Sequence, residues 1–293
     1  MVQPHSNTAQ RADRKNKRAR FLSCFLVLAT SLLPESIHAV GQDEQRLLEP
    51  GKPIEREVAG GESHSYRLSL STGQYVKVVI DQGGLDMAVK LFAPDGKKAI
   101  EFDHQFNTGK FPLEWLAEDA GNYRLEVSVN QTLAKGRRYQ VQVVELRSGT
   151  ELDRNLQEAR KQYVDYDRFY REEKYAEARQ AAERQLAIIE KALGSQHPEF
   201  ASALNCLAIA CELTGDHQQG ETLFQRALEI REKALGPRHI DVAQDLYYLA
   251  IHYDDIGDFR KAESFYERSL AIAENELGAE NLIVAQILND LGN

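Results

Sequence analysis

Apolar positions in the second half of the chain follow a helical spacing inside a unit that recurs every 42 residues. From Tyr175 onward the register holds without a gap. It aligns leucines, glycines and alanines: Leu186 with Leu228 and Leu270, Gly194 with Gly236 and Gly278, and Ala201 with Ala243 and Ala285. Each unit contains two apolar-periodic stretches, such as Ala201–Leu213 and Gln218–Ala234. A fixed period of this length predicts stacked helix hairpins, and therefore an α-solenoid over residues 150–293.

Capping residues mark the expected helix boundaries in this segment. Thr150 and Asp153 have the spacing of an N-terminal capping box. Gly215 and Gly257 can supply the left-handed residue that ends a helix. Pro198 stands near the first position of a following helix, where its missing N–H costs nothing.

His197, His239 and Asn281 occupy equivalent places in the loops between units. A metal site needs ligands that converge on one point. Equivalent positions in stacked repeats lie one repeat apart, so these side chains do not converge. We expect them to hold their loops by hydrogen bonds, and we predict no metal site.

The apolar period changes to two between Pro53 and Leu146, where short runs are separated by glycine and Asp-Gly turns. The clearest runs have one apolar face each: Tyr66–Leu70, Val76–Ile80, Met87–Leu91, Lys97–Phe102, Tyr123–Val129 and Tyr139–Val143. About seven or eight such strands need two sheets that pack on each other. Residues 47–147 are therefore predicted to form an antiparallel β-sandwich of jelly-roll-like type.

The N-terminal segment has the composition of a secretory signal. Residues 11–20 carry six basic residues against one acid, and an apolar run of 13 residues follows from Phe21 to Leu33. A membrane-spanning helix needs about 20 residues, so we predict a signal peptide at residues 1–39, cleaved near Ala39, and export to the periplasm or the exterior. An uncleaved membrane anchor and a lipoprotein signal on Cys24 remain as alternatives.

Charge and cysteine content narrow the classes of partner. The whole chain has a net charge of −9, and removal of residues 1–39, which carry a net +4, leaves about −13. This charge disfavours nucleic acid and anionic membranes as partners. Cys206 and Cys211 then remain, five positions apart on one predicted helix, where their side chains point in different directions. A disulfide between them is not expected.

The repeat unit resembles a known family. The matching positions in one unit are Leu207-Ala208, Cys211, Gly215, Gly220, Phe224 and Ala227, and in the next they are Leu249-Ala250, Tyr253, Gly257, Ala262, Tyr266 and Ser269. A degenerate first unit offers Phe169, Tyr175 and Ala178. The segment resembles tetratricopeptide repeats, in the longer 42-residue form of kinesin light chain. The resemblance implies a binding array without a cofactor or catalytic residues.

The same resemblance implies a peptide-binding groove on the first helix of each hairpin. Nine residues are assigned to it: Tyr163, Asp167, Asn205, Ile209, Glu212, Tyr247, Ile251, Asp254 and Asn289. Asn205 and Asn289 would offer a donor and an acceptor to a peptide backbone, and the acids, with Asp255, favour a basic or amide-rich partner. The alternative is a solvated groove without a ligand.

The β segment also resembles a family, through the succession Glu62–Tyr66, Gly73–Tyr75, Leu91–Gly96, Gly121–Val127 and Tyr139. This order is similar to the bacterial pre-peptidase C-terminal β-sandwich, an accessory module of secreted proteins. Calcium takes several oxygen ligands, and four aspartates are candidates for such ligands: Asp81, Asp86, Asp95 and Asp103. No loop stacks alternating acids, so we interpret them as turn and edge residues.

Three functions fit this organisation. The first is an exported scaffold that binds a protein or peptide. This function is favoured because the histidines of the chain are scattered and the sequence contains no glycine-rich phosphate loop or Cys-His pair that would suggest an enzyme. The second is the N-terminal region of a CHAT-type cysteine peptidase, whose module order this chain resembles and whose catalytic Cys and His would lie beyond residue 293. The third is carbohydrate or matrix binding by the sandwich.

Overall fold

The computed structural model describes residues 45–59, 61–82, 85, 87–104, 110–129, 137–279 and 281–292. The predicted signal peptide, with Cys24 and Ala39, lies outside these residues. The described chain divides after Arg154 into two compact units, one of strands and one of helices. Nothing in the described helices combines the length and hydropathy needed to cross a membrane.

The first unit consists of two sheets. Its strands are β1 (Arg46–Leu47), β2 (Ile54–Val58), β3 (Ser63–Leu70), β4 (Gln74–Asp81), β5 (Met87–Phe92), β6 (Lys98–His104), β7 (Lys110–Leu116), β8 (Gly121–Val129) and β9 (Arg137–Ser148). One sheet has the strand order β1-β3-β8-β5-β6 and the other β2-β9-β4-β7. The described pairings between these strands are antiparallel except that of β1 with β3.

The two sheets enclose one apolar core. Buried side chains of the first sheet, such as Leu125, and of the second, such as Val78 and Val141, belong to a single cluster. Within it, the hydroxyls of Tyr66 and Tyr139 lie 2.5 Å apart and join the two sheets. A shared core between two sheets confirms the predicted β-sandwich.

Three strands were not predicted from the sequence. Strands β1 and β2 are short, and β7 contains Pro112, which faces Val79 in the pairing with β4. Proline lacks a ladder donor and is confined to edge strands, and β7 is indeed the edge of its sheet. A proline inside an alternating run hides such an edge strand from pattern analysis.

The second unit is a succession of helices that confirms the predicted α-solenoid. They are α1 (Glu151–Arg171), α2 (Tyr175–Leu193), α3 (Pro198–Thr214), α4 (His217–Leu235), α5 (Ile240–Asp255), α6 (Phe259–Leu277) and α7 (Leu282–Leu291). From α2 to α7, each helix packs on the next along the chain. Pairs of successive helices therefore recur along this unit as hairpins, as the 42-residue period predicts.

The helix ends use the capping devices expected from the sequence. Thr150 N–H donates to Asp153 Oδ2 at 2.7 Å, and Asp153 N–H donates to Thr150 Oγ1 at 3.2 Å. Gly215, after α3, is left-handed with φ 91°. The equivalent position between α1 and α2 is occupied by Glu173, which adopts φ 61° without the freedom of a glycine.

The three equivalent loop residues cap helices α3, α5 and α7, which are the first helices of their repeats. Glu199 N–H donates to His197 Nδ1 at 3.1 Å, Asp241 N–H to His239 Nδ1 at 3.2 Å, and Ile283 N–H to Asn281 Oδ1 at 2.9 Å. The prediction that these residues hold their loops by hydrogen bonds is confirmed.

We predict that His197→Ala and His239→Ala each lower the free energy of unfolding of the array by about 0.5–2 kcal/mol, because each removes an N-cap acceptor. His197→Asn and His239→Asn copy Asn281 and should retain most of the stability. Urea unfolding followed by far-UV circular dichroism measures both. Equal losses for the alanine and asparagine variants would contradict the capping role.

Candidate binding surface of the helical array

The nine side chains assigned to the groove divide into an exposed and a buried set. Tyr163, Asp167 and Asp254 are partly exposed and Asn289 is exposed. The other five are at most 4 % exposed: Asn205, Ile209, Glu212, Tyr247 and Ile251. The expectation that these five residues present an open surface is therefore wrong in this structure.

The physical reason is clearest for α3. Every residue from Ala203 to Leu213 is buried, so this helix has no solvated face at its centre. Asn205 and Glu212 are polar members of the buried stretch, and both point to partners on neighbouring helices. Cys206 and Cys211 are free thiols, and burial raises their pKa to about 12 and about 11.

Asn205 belongs to a buried polar cluster with Arg231 of α4 and Asp245 of α5. Asn205 Nδ2 donates to Asp245 Oδ1 at 2.6 Å, and Arg231 Nη1 donates to the same oxygen at 2.7 Å. Arg231 Nη2 also donates to Ser202 Oγ of α3 at 2.7 Å. Burial raises the pKa of Asp245 to about 7, although Arg231 and Asn205 act in the opposite direction. The donor of Asn205 is thus used inside the array.

Glu212 belongs to a second buried polar cluster. Its Oε2 lies 2.6 Å from His217 Nδ1 of α4, and its Oε1 lies 2.9 Å from His252 Nδ1 of α5. His252 Nε2 lies 3.7 Å from Glu221 Oε2, and Tyr253 donates to Glu221 Oε1 at 2.5 Å. The carboxylate of Glu212 therefore joins three helices instead of facing a ligand.

Tyr247 is also engaged within the array, and only the exposed members of the set stay near the surface. The Tyr247 hydroxyl donates to Asp290 Oδ2 of α7 at 2.5 Å. Asp167 pairs with Arg171 at 2.9 Å, and burial raises the pKa of Asp167 against the effect of that arginine. Asn289 Nδ2 contacts Asp290 Oδ1 at 3.3 Å. Of the nine residues, Tyr163, Asp167, Asp254 and Asn289 therefore remain at least partly exposed.

Several residues of the buried clusters were missed from the sequence, among them Arg231, Asp245, His217 and His252. A signal for the first two is visible in the 42-residue register. Arg231 is equivalent to Ile189 and Ala273, and Asp245 to Ala203 and Ile287. A basic and an acidic residue at positions that are otherwise apolar predict a buried ion pair.

Among the described residues, His, Cys, Asp and Glu side chains form no group of three that could hold a metal ion. In the sandwich, Asp95 Oδ1 accepts from Lys97 N–H at 2.9 Å, as a turn residue does. Asp86 and the side chain of Asp103 lie outside the described part of the chain.

Gly220 of α4 makes room for Glu212. A Cβ at position 220 would lie 2.2 Å from Glu212 Oε1 and 3.0 Å from its Cδ. In the 42-residue register, Ala178 and Ala262 are equivalent to Gly220, and Tyr170 and Asp254 are equivalent to Glu212.

We predict that Gly220→Ala destabilises the array by about 1–3 kcal/mol, because overpacking displaces the carboxylate from its two imidazoles. Helix propensity alone would give a gain of about 1 kcal/mol, so the sign of the change decides between the two effects. Gly220→Ala combined with Glu212→Asp copies the residues Asp254 and Ala262 of the following repeat and should recover part of the loss. Chemical denaturation gives both values, and a more stable Gly220→Ala variant would contradict the packing described here.

Comparisons with known proteins support the assignment of the helical unit. Two family models described as tetratricopeptide repeat match residues 168–199 and 199–275. None of the curated proteins compared with the chain matches it.

Several solved structures are similar to parts of this chain. BtubC (BKLC) from P. vanneervenii is 24 % identical, with a TM-score of 0.43, over 50 % of this chain and 57 % of that one. A kinesin light chain from Podosopora anserina with nearly identical TPR-like repeats is 26 % identical, with a TM-score of 0.43, over 45 % and 63 %. This chain therefore spans less than two thirds of either structure.

A third solved structure is similar to part of this chain. The pre-peptidase C-terminal domain of collagenase from Bacillus anthracis is 17 % identical, with a TM-score of 0.29, over 34 % of this chain and 95 % of that domain. The two matching family models lie in the helical unit, whose residues 168–275 match tetratricopeptide repeats.

Proposed function

We propose that this chain is a scaffold that binds a protein or peptide along the first helices of its repeats. The observation that carries the proposal is the tetratricopeptide match over consecutive hairpins. Repeats of this kind stack into extended concave surfaces that typically bind other polypeptides. Nothing in the two matching models indicates a catalytic family.

The exposed part of the groove suggests a basic or amide-rich partner. Asp167 and Asp254 are partly exposed, as is the neighbouring Asp255, so the surface carries several carboxylates. Tyr163 and Asn289 add an aromatic ring and a carboxamide. Complementary charge steers a basic segment toward such a surface and suppresses acidic competitors.

Asn205 has a different role in this proposal from the one expected. Its carboxamide holds Asp245, so its replacement would disturb the array before any ligand is considered. Asn289 is the exposed asparagine of the pair and the one that is suited to contact a peptide backbone.

Export with cleavage near Ala39 is part of the proposal. The basic segment and the 13-residue apolar run support it. Intact-mass measurement of the secreted product tests it: a chain that starts at Val40 is expected, and a cell-associated chain that retains residues 1–39 would favour the anchor.

The alternative, the N-terminal region of a CHAT-type peptidase, rests on the order of modules alone. An in-frame continuation into a Cys/His module downstream of codon 293 would favour it over the scaffold.

Carbohydrate binding by the sandwich is less well supported. A cavity of about 180 Å³ in this unit is lined mainly by apolar side chains, among them Leu47, Leu70, Val76 and Leu146. Such a lining offers few hydrogen-bond partners for sugar hydroxyls.

We predict that a random peptide library displayed on phage and selected on the immobilised full chain yields basic or amide-rich peptides. Reversing two charges of the groove, with Asp167→Lys and Asp254→Lys, should weaken their binding at least about tenfold, which corresponds to about 1.4 kcal/mol. Titration by fluorescence anisotropy measures the change.

The matched control reverses two exposed acids on second helices, Glu229→Lys on α4 and Glu263→Lys on α6. It changes the net charge by the same amount and should leave the affinity within about twofold. Equal weakening by both double variants would show a general charge effect and would contradict the assigned surface. Failure to select any peptide would contradict the proposed function.

A further inference from the structure

Both buried polar clusters of the array lie at the same junction between repeats. The Arg231 cluster joins α3, α4 and α5 through Ser202, Asn205 and Asp245. The Glu212 cluster joins the same three helices through His217 and His252. We call this place, where α4 meets α5, the polar junction.

The other two junctions carry apolar residues at the positions of the ion pair. In the first, between α2 and α3, these are Ile189 and Ala203, and in the third, between α6 and α7, they are Ala273 and Ile287. All four side chains are buried. The other two junctions are therefore buried with apolar residues at both positions, and the ion pair is an exception within one chain.

The ion pair is enclosed deeply enough for a mismatch to matter. The side chains of Arg231 and Asp245 are 5 % and 0 % exposed, and their nearest atoms are 2.7 Å apart. Replacing a buried pair by apolar residues is often neutral or stabilising, whereas removing one partner leaves an uncompensated buried charge. We therefore expect the pair to add little stability over an apolar pair, and the loss of either partner alone to be strongly destabilising.

Repeats that share their apolar positions have a register problem that such a pair can solve. Helix α4 could pack on α3 or α7 of a second copy of the chain, since these helices share the apolar positions of α5. Arg231 would then face Ala203 or Ile287 and would be buried without a carboxylate. Glu212 would likewise meet Ala210 in place of His252 if α3 replaced α5.

We propose that the Arg231–Asp245 pair acts as a register lock: it makes α5 of the same chain, and not a helix of another copy, the partner of α4. The Glu212–His252 contact supports the same choice. The function of the lock is to exclude exchange of hairpins with a second copy of this chain while the protein folds.

The experiment compares the full chain with a variant in which Arg231→Ile and Asp245→Ala copy the first junction. Arg231→Ala with Asp245→Ile copies the third and serves as a second version. The single variants Arg231→Ile and Asp245→Ala complete the cycle. Each protein is refolded from urea over about a hundredfold range of concentration, and its mass is measured by size exclusion with light scattering.

We expect both single variants to melt below the wild type and at least one double variant to melt at or above it. That double variant should form species heavier than the wild-type peak, in a fraction that grows with concentration, and the wild type should not. The control removes an exposed pair between repeats, Arg268 and Glu232 at 2.9 Å, by alanine at both positions. It should refold as the wild type does.

Two results would overturn the proposal. One is a stable double variant that refolds only to the wild-type species at every concentration, because the register would then be fixed without the pair. The other is that both double variants melt below the single variants, because the junctions would then not be interchangeable.

Discussion

The close approach of the two helices in each hairpin is the constraint on which the array depends. At Ala178, Gly220 and Ala262 the second helix presents no side chain larger than a methyl group, and all three residues are buried. A larger side chain there would separate the helices of its own hairpin. Because each hairpin of a solenoid is positioned by its neighbours, the displacement would pass to the following ones. This constraint recurs once per unit, and so it is visible as a period.

The sequence predicted those features that repeat or that are local. The 42-residue register and the capping residues place α3 and α4 within a few residues of their observed ends, because helix boundaries depend on nearby side chains. Alternation likewise identifies β3, β4, β5 and β8, which pack one face on the core. It missed β7, where Pro112 interrupts the run, and β1, which is only two residues long.

The candidate site was harder to predict because exposure is a property of the assembled array. The register identifies the first helices correctly, yet it cannot tell that α3 is enclosed over eleven consecutive residues. The polar partners were also out of reach, because Asn205 meets Asp245 and Glu212 meets His252 at a separation of 40 residues. Contacts between neighbouring first helices are offset by two residues from the repeat, so alignment by the period alone pairs the wrong side chains.

Glu173 shows that the hairpins are not equal in backbone strain. Its left-handed conformation at φ 61° is one that Gly215 and Gly257 adopt at no steric cost, whereas a residue with a Cβ loses about 1–2 kcal/mol there. The hairpin of α1 and α2 thus carries a backbone strain that the later hairpins lack. In a linear array, whose members can open from an end, the strained edge opens first. Fraying should therefore begin at α1, so the array should unfold in a preferred direction, from α1 toward the later helices.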